Sequence, residues 1–199
     1  MKRVILGAVL GGIVSFSWMC ISWGMLPWHH VGVSSFKNED QVARVIRENT
    51  GKSGVYMLPY VALETLHRNV KEDVSIYKEQ KKALKEYPLI FLQLNKNGVK
   101  DFSFLSSLAS FLTQCVSVGF VAYLLTLLKL ESSYLKRFCF CVIYGLSSAI
   151  FFQEPSWNWF GSSSAYTAIM IVDATITWAL AGFVLAAIVK PRFKLRQML

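Results

Sequence analysis

The stretch AYTAIMIVDATITWALAGFVLAAIV, residues 165–189, carries one charged side chain, Asp173, in 25 consecutive positions. A helix rising 1.5 Å per residue needs about 20 apolar residues to cross roughly 30 Å of hydrocarbon, so this segment reads as a membrane span. Three earlier stretches, 4–26, 102–128 and 134–153, have the same character. The expected fold class is therefore all-α membrane: a four-transmembrane-helix bundle with a small α+β extracytoplasmic module between helices one and two. Span one then occupies 1–26, the module 27–101, and spans two to four with a cytoplasmic tail 102–199.

Composition agrees with hydrocarbon as the main solvent. Apolar residues make up 54% of the 199 and charged residues only 17%, a balance that suits a soluble domain poorly. Between Phe102 and Val189 the charges are Lys129, Glu131, Lys136, Arg137, Glu154 and Asp173, and the first four share one short loop. The net charge of +9 is scattered at span ends and forms no contiguous basic face, which argues against a nucleic-acid partner and for the lipid bilayer.

Orientation follows from where the basic residues fall. Lys2 and Arg3 precede span one, Lys129, Lys136 and Arg137 lie between spans two and three, and Lys190, Arg192, Lys194 and Arg196 follow span four. The opposite short loop, 154–164, has no Lys or Arg. Basic residues beside spans stay on the cytoplasmic side, and loops beyond about 60 residues escape the rule. Both termini are thus expected in the cytoplasm of an inner (plasma) membrane protein, with 27–101 outside.

Met1-Lys2-Arg3 and the apolar run behind it begin like a signal peptide, but the run is about 23 residues against the 7–15 of a signal core, and no small-x-small cleavage site follows. Span one reads as an uncleaved anchor. Gly7 and Gly11 give it a GxxxG face for close helix packing, within the chain or in a homo-oligomer. Trp18, Trp23 and Trp28 suit the headgroup interface, and Pro27 ends the helix. Cys20, Cys115, Cys139 and Cys141 all fall in spans and read as small buried side chains. Cys139 and Cys141 diverge by about 200° on a helix, which opposes a shared metal.

The segment 27–101 has internal order. Asn38 reads as the N-cap of a short helix to about Glu48, residues 54–58 as a strand stopped by Pro59, 60–87 as a longer helix with an apolar seam, and 89–94 as a second strand before the turn signal Asn97-Gly98. The two strands are expected to pair as a ribbon.

Two polar clusters are candidates for function. Inside the membrane, Ser103, Ser107, Ser110, Gln114 and Ser117 step by four and three along one face of span two. Asp173 lies roughly 12 Å into span four, where a carboxyl group costs about 2.5–3.5 kcal/mol, and Thr177 extends its face by one turn. It is carried as the neutral acid, or clasped to Gln114 and nearby hydroxyls, or used as a proton or cation site. At the outer rim stand His29, His30 and Glu154, residue types able to handle protons or a metal; adjacent histidines rarely share one ion, so no metal or other cofactor is expected. Trp157, Trp159 and Phe160 complete an aromatic belt, and His67 reads as a surface residue.

No nucleophile elbow, zinc-protease helix, phosphate loop or dinucleotide fingerprint occurs, which leans against an enzyme. The run Ile21-Ser-Trp-Gly-Met-Leu-Pro-Trp-His29 followed by Ser53-Gly-Val-Tyr56 resembles small uncharacterised bacterial inner-membrane proteins with a Trp-rich first span. That resemblance covers about the first third of the chain and implies no activity. The expectation is a non-enzymatic scaffold or accessory subunit that contacts another envelope component through its outer module. The rival is a small oligomeric proton- or ion-coupled transporter or channel using Asp173.

Overall fold

The computed structural model describes residues 1–60, 78, 82, 85–98, 103–128 and 132–191. Four helices among these are long and apolar enough to cross a membrane: α1 (Lys2–Gly24), α3 (Phe104–Thr126), α4 (Tyr134–Asn158) and α5 (Ser164–Ile188). Between α1 and α3 lie a 3₁₀ turn (Pro27–Gly32), α2 (Glu39–Asn49), β1 (Gly54–Leu58) and β2 (Ile90–Leu94). Most of the expected helix 60–87, His67 included, lies outside the described residues, as do Lys129, Arg192, Lys194 and Arg196.

The chain divides into two units: a helical one of Met1–Ser34, Asp101–Glu154 and Ser163–Leu199, and a second of Ser35–Lys100 with Pro155–Ser162. The 3₁₀ turn, which the sequence reading grouped with the outer module, belongs to the helical unit.

In the helical unit α1 runs between α3 and α5, antiparallel to both. Its small-residue face is used within the chain: a Cβ on Gly11 would lie 2.7 Å from Val118, and one on Gly12 would lie 3.0 Å from the Cα of Cys115. Gly7 faces α5, where an added Cβ would meet Val189 at 3.0 Å, so the start of α1 and the end of α5 lie together. Lipid offers apolar side chains no less shelter than a neighbouring helix does, so close backbone approach, dispersion and interhelical hydrogen bonds must supply the attraction. The GxxxG pattern thus serves intramolecular packing. Val118, Val121, Ala122 and Leu125 of α3, Cys141 of α4, Ala181 and Leu185 of α5, and Val189 just beyond its end form one buried apolar cluster at this end.

α4 packs on α5 through Gly145 against Trp178, Cys141 against Gly182, and stacked rings of Phe138 and Phe183 at 4.4 Å. Arg137 donates from Nε and Nη2 to the carbonyl of Ala186 at 3.1 and 2.8 Å, and from Nη1 to the carbonyl of Ser132. A cation thereby satisfies a carbonyl of the last turn of α5, where the helix dipole favours positive charge. The opposite sides of the helices expose Leu6, Val9, Leu112, Phe120, Ile143, Phe151 and Phe152. Such continuous apolar surface is a liability in water and ordinary in hydrocarbon. α4 also runs five residues past the expected end at 153, through Pro155 to Asn158; membrane helices tolerate an internal proline where neighbouring groups take up the freed carbonyl.

In the second unit the two strands form the expected ribbon, pairing antiparallel with Gly54 opposite Leu94 and Leu58 opposite Ile90. Asn38 caps α2, its Oδ1 accepting from the Gln41 amide at 2.9 Å. The Lys96 ammonium donates to the carbonyls of Arg47 and Thr50, closing the other end of α2 just beyond β2. Asn97-Gly98 forms the expected turn, with Gly98 at φ +78°, a region open to glycine. Phe91 of β2 stacks on Phe160 at 4.4 Å.

Candidate functional site

Asp173 sits nine residues into α5, about 13.5 Å along the helix, and is 7% exposed. Its Oδ1 accepts two hydrogen bonds from α1, one from the Trp18 indole at 2.7 Å and one from the Ser22 hydroxyl at 2.8 Å. Trp18 and Ser22 are one turn apart, so both reach the same seam. On α5 itself the Thr177 hydroxyl donates to the Asp173 carbonyl at 2.9 Å, a local bond that leaves the carboxyl group to α1.

The third partner comes from the 3₁₀ turn. Pro27 cannot continue the helix, and the chain folds back so that His29, seven residues beyond Ser22, places Nε2 3.0 Å from the Ser22 Oγ and 3.6 Å from Asp173 Oδ2. Close approach of Gly32 to Tyr166 on α5 fixes the turn, since a Cβ there would lie 2.6 Å from the Tyr166 Cα. Trp23 lies flat on the imidazole at 3.9 Å and 12°, while Trp28 meets it edge-on at 5.5 Å. The Trp28 indole also donates to Ser22 Oγ at 3.1 Å.

Hydrogen counting assigns the network. Ser22 has one hydrogen, given to Asp173, so its oxygen accepts from Trp28 and from His29, and His29 carries a hydrogen on Nε2. Nδ1 is buried and has no hydrogen-bond partner. Although the trio is serine, histidine and aspartate, it is not arranged as a nucleophilic relay. That relay needs the carboxylate on one ring nitrogen and the serine on the other, with the imidazole accepting the serine proton. Here both groups meet Nε2, and Ser22 is wholly buried and hydrogen-bonded to the acid directly.

The residues singled out from sequence separate into different places. Asp173 and His29, expected in two clusters, meet in one. Gln114 does not pair with Asp173: its Nε2 points to the Met19 sulfur at 4.0 Å, in the seam between α1 and α3. Matching depth brought the two side chains to one level, but Met19 and Trp18 are 100° apart around α1, and each faces a different neighbour. Ser110 and Ser117 are half-buried along the same α3 face as Gln114, while Val118 and Cys115 make its tight contacts with α1. His30 is exposed. Glu154 is exposed and lines a shallow groove with Ile143, Leu146, Ser147, Ile150 and Phe151. Sequence reasoning missed Trp18 and Ser22 as partners of the carboxyl group. The available signal was their place on the stripe Gly7, Gly11, Ser15, Trp18, Ser22, which steps by four and three.

Beyond Ser15, whose hydroxyl is buried and unpaired, the seam passes into Gly11, Val118, Leu185 and Val189. Among the described residues, no group of three His, Cys, Asp or Glu is placed to hold a metal ion. Compared with models of protein families, with curated proteins and with solved structures, the chain matches none.

Proposed function

We propose that this chain is a non-enzymatic multi-pass protein of an inner (plasma) membrane, with cytoplasmic termini, that serves as a scaffold or accessory subunit. In this reading the helical unit is a stiff mount, and the segment after the 3₁₀ turn contacts another envelope component. The observation that carries it is how the one carboxyl group deep in a span is used: Oδ1 takes two donors from α1, tying α1 to α5. The other end of the bundle is filled by aliphatic side chains, which suits a mount better than a conduit. The ribbon of the second unit supports the contact role, because two strands alone are marginal and Val55, Leu58 and Ile90 leave apolar surface for a partner to cover. With the glycine face of α1 occupied by α3 and α5, a homo-oligomer would have to use another face.

Asp173→Asn, purified and reconstituted in liposomes, tests the reading against a transporter. The expected result is reduced folded yield and no proton or ion flux above empty vesicles for either protein. Flux in the native protein, lost in a normally assembled variant, would replace the scaffold with a transporter. On the partner side, Ile90→Glu is expected to release a cross-linkable envelope protein without lowering the level of the chain in the membrane.

A further inference from the structure

We propose that His29 is a protonation-dependent latch that holds the turn Pro27–Gly32 against α5. The proposal rests on the surroundings of the ring and does not depend on what the rest of the segment contacts. His29 is 6% exposed, its Nε2 hydrogen is engaged with Ser22, and its Nδ1 is buried without a partner. A proton taken up at Nδ1 makes the ring an imidazolium. The new N–H has no acceptor beside it, and two features of the pocket face the charge. Asp173 Oδ2 stands 3.6 Å from Nε2, and the indole face of Trp23 lies parallel to the ring at 3.9 Å, where a planar cation is attracted by the π-system. The neutral ring forgoes both and leaves the turn held by one bond to Ser22 and by the Gly32–Tyr166 contact.

The groups facing His29 are few. α5 presents Asp173, α1 presents Ser22 and Trp23, and the turn itself presents Trp28, so the carboxyl group is the one charge-bearing neighbour among these. Asp173 already receives Trp18 and Ser22 on Oδ1, which leaves Oδ2 as the oxygen turned to the ring. The acid thus has one oxygen for holding helices together and one for sensing the state of the turn.

The test uses the full chain in lipid nanodiscs. Imidazole side chains change charge between about pH 5 and pH 8, and a stacked imidazolium quenches indole emission. Native protein is expected to lose tryptophan emission reversibly on acidification. Amide exchange across residues 30–34, corrected for the intrinsic rate, is expected to slow at least threefold at the acid end. His29→Gln keeps a donor for Ser22 but takes no proton, and should show neither change; His30→Gln should show both. Corrected exchange that is flat with pH in the native protein, or the same response in His29→Gln, overturns the latch. If His29→Gln does not assemble, the native exchange profile together with His30→Gln decides.

Discussion

The bond from Trp18 to Asp173 can be weighed by a double-mutant cycle. Interhelical hydrogen bonds in membranes average about 0.6 kcal/mol and seldom exceed about 1.7, because separated helices in lipid also find partners for their polar groups. The Trp18 indole reaches Asp173 Oδ1 at 2.7 Å, a short bond that belongs between those two figures. Ser22 shares the same oxygen at 2.8 Å and can tighten when Trp18 is removed, which returns part of the loss. The expected coupling between Trp18→Phe and Asp173→Ala is therefore about 1 kcal/mol. It is measured by reversible unfolding of the native protein, both single variants and the double variant, using steric trapping in bicelles. A control cycle pairs Trp18→Phe with Gln114→Ala, which should add to within about 0.5 kcal/mol because the two side chains lie in different seams. Coupling below about 0.3 kcal/mol in the first cycle would refute the clasp, and coupling in the second would mean that the seams are not separate.

Other substitutions report on other contacts, and the same unfolding assay reads each. Gly145→Ala drives a methyl into Trp178, whose Cγ and Cδ1 lie 2.5 Å from the added Cβ, and should destabilise the α4–α5 pair by about 1–3 kcal/mol with a shift in Trp178 emission. Arg137→Gln removes the cation that bonds the Ala186 carbonyl and should cost about 1.5–3 kcal/mol, with Arg137→Lys recovering only part of it. Gln114→Leu, at the residue expected from sequence to pair with Asp173, should change stability by no more than about 0.5 kcal/mol, since its polar contact is a 4.0 Å approach to a sulfur atom.

The spans, the strand pairing and the cap at Asn38 were legible in the chain because each rests on a local rule: an apolar run long enough for hydrocarbon, short apolar runs bounded by proline and turn residues, a side-chain acceptor before an amphipathic run. Helix ends agreed to within a few residues except in the third span, where the helix continues from the expected end at 153 through Pro155 to Asn158. The neighbours of each helix were not legible. Depth in a membrane can be counted from a span boundary, and it paired Asp173 with Gln114; azimuth cannot be known until it is settled which helix lies between which. With α1 between α3 and α5, the polar faces of span two and span four meet opposite sides of one helix and not each other. Trp18, Trp23 and Trp28 illustrate the same limit. All three fit an interfacial belt by composition, yet Trp18 and Trp28 spend their N–H groups on Asp173 and Ser22, and Trp23, itself half exposed, covers His29.

The placement of His29 follows from the problem that Asp173 creates. A carboxyl group nine residues into α5 has helices on its flanks, but α1 ends at Gly24, a little more than half a turn beyond Ser22. Water could then reach Asp173 from that end, and Ser22 and Trp18 would compete with it for Oδ1. An extended chain after Gly24 would leave that approach open. Pro27 opens the 3₁₀ turn, which folds the chain back so that an imidazole, with one indole stacked on it and another at its edge, closes the pocket over Ser22. Glycine at position 32 is what permits the turn to lie against the backbone of Tyr166 on α5. The turn therefore belongs to the same device as the carboxyl group, and Gly32→Val, which forces the turn off α5, should weaken the helix pair although it touches neither Trp18, Ser22 nor Asp173.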